Sequence, residues 1–198
     1  MGELEELKLY YDYKSPYAFL AVEPALALPD RYRVYIRWRP FQLRIKGKGQ
    51  RSVYSEWKAR YSYMDARRWA NRRGGFKIMG PLKVYDTTPA LIGGLFAERE
   101  GFFPEYTKEA FARFFERRLE LDLVGEVAAL VTECGGDSKA YLAYAADEGL
   151  QELEASIDEA HEDEVFGVPI FVLRGEKFWG HDRIPLLEER MTELGLRG

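Results

Sequence analysis

Ser15 lies between a short apolar run, Leu7 to Tyr13, and Pro16. Ser is a favoured helix cap and Pro a favoured first helical residue, so this spacing places Ser15 at a helix N-terminus. The unpaired N–H groups and the dipole of such a terminus favour an anion, and a thiolate would be stabilised there. Plain capping accounts for the same residue, and both readings stand at this point. Cys134 is the single cysteine, which excludes an internal disulfide and a C-x-x-C redox pair. Two histidines, His161 and His181, are too few for a His-rich metal site, and no bound metal is expected. Ser15, His181 and Asp182 supply the residue types of a serine hydrolase, but no G-x-S-x-G elbow occurs and adjacent His and Asp side chains diverge on most backbones.

The elements that must position Ser15 follow from patterning. Leu7 to Tyr13 reads as a buried strand, Pro16 to Leu28 as a helix interrupted by Pro24, and Tyr32 to Trp38 as a second strand. Strand, helix, strand in this span implies a right-handed crossover with parallel strands. From Val53 to Gly74 the period becomes helical through Tyr54, Trp57, Tyr61, Met64, Arg68 and Trp69. Helices are expected over Ala90 to Glu100 (capped by Thr88-Pro89), Pro104 to Arg118, Val124 to Glu133, Ser138 to Asp147 and Gln151 to Glu162. Ile170 to Leu173 and Lys177 to Trp179, joined at Gly175-Glu176, read as a hairpin, and Ile184 to Leu194 as a last helix. The order is β-α-β, a helical block, then β-β-α. The fold class is therefore α/β and thioredoxin-like, with residues 1–45 and 165–198 forming the thioredoxin-like domain and residues 46–164 a helical insertion.

Composition narrows the function classes. The chain has 198 residues, 46% hydrophobic and 31% charged, enough for a real core and without an apolar run long enough for a membrane helix. Met1 to Glu6 is acidic and lacks a signal-peptide pattern, so a cytoplasmic location and no membrane partner are expected. The net charge of -4 hides a basic region: Arg31 to Lys83 holds sixteen Lys and Arg against two acids. Such a region can attract an anion, or its charges can pair with the acidic remainder. Nucleic-acid binding is not expected. Tyr11, Tyr13, Tyr17, Phe41, Tyr61 and Trp179 could line a pocket for a flat ring, although aromatics in alternating strands usually form core.

Three motifs carry a resemblance: Asp12-Tyr13-Lys14-Ser15-Pro16-Tyr17, Phe166-Gly167-Val168-Pro169-Ile170-Phe171 and Phe178-Trp179-Gly180-His181-Asp182-Arg183. In this order and spacing the chain resembles the 2-hydroxychromene-2-carboxylate isomerases and the kappa-class glutathione transferases, nearly end to end. The resemblance implies a thioredoxin domain with a helical insertion, related to the periplasmic disulfide oxidoreductases (DsbA-like). Where those carry C-P-x-C, this chain reads Ser15-Pro16-Tyr17-Ala18. Thiol–disulfide exchange needs an attacking and a resolving thiol, so what survives is a helix terminus able to serve an external thiol.

The resemblance further implies that Ser15 is catalytic, its hydroxyl bonding the sulfur of glutathione or another low-mass thiol. Pro169 matches the cis-proline of thioredoxin folds, with the Val168 backbone pairing with a peptide cofactor. Asp182 corresponds to a carboxylate meeting the γ-glutamyl ammonium, and it equally suits the N-cap of the last helix. His181 replaces the usual glutamine or serine. Lys58 matches a lysine reaching a cofactor carboxylate, Gln50 stands where asparagine is frequent, and Tyr17, beside Ser15, is the aromatic expected to line the cofactor site and not the core. Phe111 to Asp122 lacks a tryptophan often found there, and Ile170 replaces a common threonine. The implied activity is glutathione-dependent isomerisation of 2-hydroxychromene-2-carboxylate in aromatic catabolism, on a small aromatic carboxylate, by a homodimer. Kappa-like conjugation or peroxide reduction, and non-catalytic binding of a peptide or anion on a thioredoxin fold, are the alternatives.

Overall fold

The structure, a computed structural model, describes residues 4–43 and 53–198, with side chains within the helix 53–73 described from Trp57 onward. Its elements are β1 (Glu5–Tyr11), α1 (Pro16–Leu26), β2 (Val34–Pro40), α2 (Val53–Arg73), α3 (Thr88–Glu100) and α4 (Phe103–Phe115). They continue as α5 (Val124–Glu133), α6 (Ser138–Ala146), α7 (Glu148–Glu162), β3 (Ile170–Leu173), β4 (Glu176–Trp179), a 3-10 turn (His181–Arg183) and α8 (Ile184–Glu193). The sheet order is β2-β1-β3-β4. β1 and β2 are parallel, with Leu9 opposite Trp38, as a crossover through α1 requires. β3 runs antiparallel to both neighbours, placing Phe171 opposite Leu9 and Phe178. This is the expected thioredoxin-like α/β fold.

Alternation along β1 divides the core. Leu7, Leu9 and Tyr11 join Phe171, Leu173, α1 and the helical block on one face, while Tyr10 joins Ala160, Val165, Val168, Ile170 and Val172 on the other. On that second face Lys8 reaches Glu159 of α7 and Asp163 at its C-terminal cap, each at 2.8 Å, and the Tyr10 hydroxyl donates to Asp163 at 2.6 Å. Arg37 and Arg39 of β2 pair with the same Glu159 at 2.8 and 2.7 Å. One carboxylate thus ties α7 across the sheet, and the basic region offsets part of the acidic remainder. Lys83 does likewise with Glu120 and Asp122, at 2.8 and 3.0 Å.

Several boundaries differ from expectation for local reasons. The first strand ends at Tyr11, not Tyr13, because Asp12 and the residues after it form the turn into α1. α3 begins at Thr88, with Thr87 at the cap position, and it is the Asp86 carboxylate that accepts from the Thr88 N–H at 3.0 Å. α7 starts three residues before Gln151, at Glu148. Asp182 does not cap the last helix: Arg183 holds that position without a side-chain bond, and Asp182 lies in the 3-10 turn. The domain division expected near residue 45 lies outside the described residues. Among the described residues no helix is long and apolar enough to cross a membrane.

Inside the helical block, α3 offers two glycines to buried phenols. A methyl on Gly94 would sit 2.8 Å from the Tyr13 hydroxyl and overlap that of Tyr11, and one on Gly93 would lie 2.7 Å from Tyr106 Cζ. The three tyrosines are at most 2% exposed, so none can yield. Gly94→Ala is therefore expected to destabilise by about 1–3 kcal/mol, overpacking outweighing the roughly 1 kcal/mol gain in helix propensity. Urea unfolding checks this, and an unchanged or raised midpoint would contradict it.

Candidate functional site

Ser15 sits at the junction the sequence predicts. Its backbone is extended, and its Oγ accepts the Ala18 N–H at 3.2 Å, capping α1. The same hydroxyl donates to the Val168 carbonyl at 3.1 Å, across 153 residues of sequence. The Val168-Pro169 bond is cis, and the Pro169 carbonyl accepts the Gly180 N–H at 2.9 Å. Asp12 shapes the turn below: its carbonyl takes the Ser15 N–H at 2.9 Å, and its carboxylate takes the N–H groups of Lys14 (3.2 Å) and Leu43 (2.8 Å). Burial lifts the Asp12 carboxyl above its usual range, opposed by the Lys14 ammonium at 3.5 Å and by those N–H groups.

Beside this junction opens a cavity of about 210 Å³. Val168 and Pro169 form one side, Trp179 and the turn Gly180 to Arg183 another, and Tyr17 lies next to the α1 cap. The remaining wall comes from α2, where Asp65 and Trp69 line the cavity and Arg73 follows at the next four-residue step, one helix face. Asp65 accepts the Tyr17 hydroxyl at 3.0 Å. Tyr17 stacks on His181 with centroids 5.6 Å apart and an interplanar angle of 20°, and Trp69 meets the same imidazole edge-on at 5.0 Å. Arg73 Nη2 lies 3.2 Å from His181 Nδ1. A guanidinium can only donate, so Nδ1 accepts and the imidazole proton belongs on Nε2.

The electrostatics follow from these contacts. Burial, and then the Arg73 charge, push His181 down to about 4, so the ring is neutral at physiological pH. Burial and the neighbouring Asp65 raise the Tyr17 phenol, which stays protonated and keeps donating. Asp65 and Asp182 place two carboxylates on the cavity wall, and Arg183 is bonded to Asp182 at 2.7 Å. Two carboxylates with a guanidinium suit an ammonium next to a carboxylate, the end group of an amino acid.

A second cavity, of about 380 Å³, has Lys14 in its wall. Leu43, Ala59, Tyr63 and the segment Pro81 to Tyr85 complete it.

Of the residues singled out in the sequence, Ser15, Tyr17, Val168, Pro169, His181 and Asp182 come together at the first cavity or its edge. Lys58 is exposed on α2 and lines neither cavity, and Gln50 lies outside the described residues. Of the candidate ring-binding aromatics, Tyr17 and Trp179 line the first cavity. Tyr11 and Tyr13 are core, Tyr61 is exposed, and Phe41 packs on the far face of the sheet. Sequence reasoning missed Asp65, Trp69 and Arg73. Their four-residue spacing was visible and continues the steps from Trp57 and Tyr61, but those two aromatics are exposed and line neither cavity. Cys134 ends α5 half-buried, with its thiol pushed up to about 11 by burial.

The chain matches the family model of the DSBA-like thioredoxin domain over residues 6–192. It is 28% identical over 193 residues to a 2-hydroxychromene-2-carboxylate isomerase of Pseudomonas putida, covering 93% of each chain. A solved 2-hydroxychromene-2-carboxylate isomerase superposes with a TM-score of 0.80 at 27% identity, covering 96% of this chain and 95% of the other. A probable DsbA oxidoreductase from Streptomyces coelicolor shares the fold at a TM-score of 0.72 and 19% identity, covering 96% of this chain and 89% of the other.

The neutral His181 has a consequence for stability. Its pKa of about 4 in the folded state lies below the unfolded value near 6.5, so between these the unfolded chain binds more protons. Its contribution is present above about pH 6.5 and is lost as pH falls toward 4, on the order of 1–2 kcal/mol once solvent screening is allowed for. Urea titrations at pH 7 and pH 4.5 should show a smaller pH-dependent loss in His181→Gln than in the parent. An equal loss in both would remove His181 as its source.

Proposed function

The chain belongs to the DSBA-like thioredoxin domain family, and from that premise we propose that it is a thiol-dependent isomerase of the 2-hydroxychromene-2-carboxylate type. In this reading it interconverts that compound with trans-o-hydroxybenzylidenepyruvate, using glutathione or another low-mass thiol. The observation that carries the reading is Ser15: a hydroxyl at a helix N-terminus, 3.1 Å from the Val168 carbonyl, at a turn without either sulfur of a C-P-x-C motif. The isomerase-named relatives at 28% and 26% identity support the reaction class.

The residues present fit a peptide thiol. When bound, the thiol would supply a thiolate that adds reversibly to a conjugated carbon, while the hemiketal ring C–O bond opens with its hydroxyl proton passing to the released phenol oxygen; the former double bond would rotate as a single bond and re-form when the thiolate leaves. Ser15 turns its O–H from Val168 toward that sulfur, and the α1 terminus adds its dipole, together lowering the thiol pKa. The freed Val168 carbonyl accepts a peptide N–H in exchange. Asp65 and Asp182 hold the ammonium end, and Arg183 a carboxylate. His181 and Tyr17, both neutral, shape the wall without adding a charge that would change with pH. Addition and expulsion conserve electrons, so no redox partner is required, in keeping with the single half-buried cysteine. The same reading carries a cytoplasmic homodimer acting on a small aromatic carboxylate.

Calorimetric titration with glutathione, on the parent, Ser15→Ala and Asp182→Ala, tests the assignment. Saturable binding by the parent is expected, weakened in both variants. Ser15→Ala should fold, with about 1 kcal/mol of capping lost, and its isomerisation rate should fall about 100-fold or more, as for removal of an oxyanion donor. Full activity in Ser15→Ala would overturn the role of Ser15. Thiol binding without turnover would turn the reading toward a binding protein.

A further inference from the structure

The structure divides the basic region between Arg31 and Lys83. Arg31 pairs with Glu188 of α8, Arg37 and Arg39 with Glu159, and Lys83 with Glu120 and Asp122, so these charges are cancelled. On α2 they are not. From Trp57 to Arg73 this helix carries Lys58, Arg60, Arg67, Arg68, Arg72 and Arg73 against one acid, Asp65, and all six cations are exposed. Among the described residues none of the six makes an ion pair.

Where these guanidinium groups have partners, the partners are neutral. Arg67 donates to the Ile78 carbonyl at 2.9 Å, Arg68 to the Met64 sulfur at 3.8 Å, and Arg73 to the Leu20 carbonyl and His181. Arg72 stands 5.7 Å from the centre of the Trp69 ring. Such contacts hold the side chains and leave their charge uncancelled. A solvated helix face ordinarily intersperses signs, as α4 does where Arg113 bridges Glu109 and Glu133. On α2 the opposite holds: Arg68 and Arg72 are four residues apart, a spacing at which like charges repel.

This charge lies beside the first cavity. Trp69 lines that cavity, and Arg68 and Arg72 bracket it in sequence. At about 1.5 Å of rise per residue their backbones are within about 5 Å of Trp69 along the helix axis, less than the screening length of about 8 Å at physiological ionic strength. The wall itself holds Asp65 and Asp182, in a chain of net charge -4, so without α2 a small anion would approach against repulsion. We propose that the cationic face of α2 steers small anions to the first cavity, acting on their rate of arrival and not by touching the bound ligand. A cleft bordered by one sign of charge concentrates ions of the other sign and raises association rates by about 10- to 1000-fold. The identity of the ligand rests on the thiol reading above, glutathione bearing two carboxylates and one ammonium. The field itself does not need the thiol.

Two measurements on the full chain test this, and the first uses no thiol. Trp57 and Trp69 stand on α2 and Trp179 at the first cavity, while Trp38 is buried. Quenching of tryptophan emission by iodide, divided by quenching by neutral acrylamide, therefore reads the local anion concentration. The ratio should fall as chloride raises the ionic strength from about 0.02 to about 0.3 M, because salt screens an attraction. At low salt, Arg68→Gln with Arg72→Gln should lower it about twofold, whereas Arg68→Lys with Arg72→Lys, and Lys139→Gln on α6, should leave it unchanged. The second measurement is stopped-flow mixing with glutathione: the association rate should fall with salt and fall about threefold in the Gln pair, with dissociation within about twofold of the parent. Melting curves identify a pair that has unfolded, and Arg68→Gln alone then replaces it. An iodide ratio that ignores salt or rises with it, or that the Gln pair leaves unchanged, would overturn the proposal. Ser15-dependent glutathione binding whose association rate ignores both salt and the Gln pair would overturn it too, with the thiol reading intact. Salt-sensitive iodide enrichment that the Gln pair lowers, in a chain that does not bind glutathione, would support the steering field and refute the thiol reading.

Discussion

One hydroxyl joins the two ends of this fold. Ser15 accepts from the first turn of α1 and donates to Val168, the residue that leads through Pro169 into β3. A bond of this kind contributes about 0.5–1.5 kcal/mol net, so its importance is geometric rather than energetic. It can form only where β1 and β3 are neighbours in the sheet, with Tyr10 opposite Ile170, so that the turn after one strand meets the segment before the other. Asp12 makes the meeting exact enough by fixing the Ser15 N–H from below and the Leu43 N–H from the side. A buried carboxylate is costly unless it is bonded, and here three backbone N–H groups, of Lys14, Ser15 and Leu43, converge on it or on its residue.

The α2 face then decides what the junction looks like to a ligand. Asp65, Trp69 and Arg73 approach Tyr17 and His181 along one helical stripe, and the contacts alternate in kind: a hydrogen bond, an aromatic edge, a second hydrogen bond. Arg73 also donates to the Leu20 carbonyl, anchoring the guanidinium to α1 before it reaches the imidazole. The histidine is held in one tautomer and is neutral at physiological pH, so there it adds no charge to the dipole that the α1 terminus presents at Ser15.

Much of this was legible in the sequence because local rules suffice for it. The period change at Val53, the Ser15-Pro16 cap and the Gly175 hairpin each rest on a few adjacent residues, and α5 and β3 appear with the expected limits. What was not legible depends on residues far apart. Asp182 looked like a cap because caps are judged by sequence position, yet the chain inserts a 3-10 turn that places Arg183 there instead. Tyr11 and Tyr13 could be read as pocket or core, and the close approach of Gly94 on α3 makes room for their hydroxyls inside. Asp65 and Arg73 are ordinary helix-surface residues until Tyr17 and His181, from two other elements, are brought against them.

The replacement of sulfur at the α1 turn leaves a particular remainder. The resemblance to disulfide oxidoreductases sets Ser15 and Ala18 in the places of two cysteines, and both positions still act on each other here, the Ala18 N–H donating to the Ser15 oxygen. Ala18 is only 2% exposed, so the second position now offers a backbone donor and no side-chain chemistry. A serine at neutral pH is not itself a nucleophile without a base, and the one imidazole nearby has its Nδ1 engaged by Arg73. In the proposed reading the turn retains a means of stabilising an anion, and that anion comes from a ligand held in the first cavity, whose wall includes the Val168 to which Ser15 is bonded.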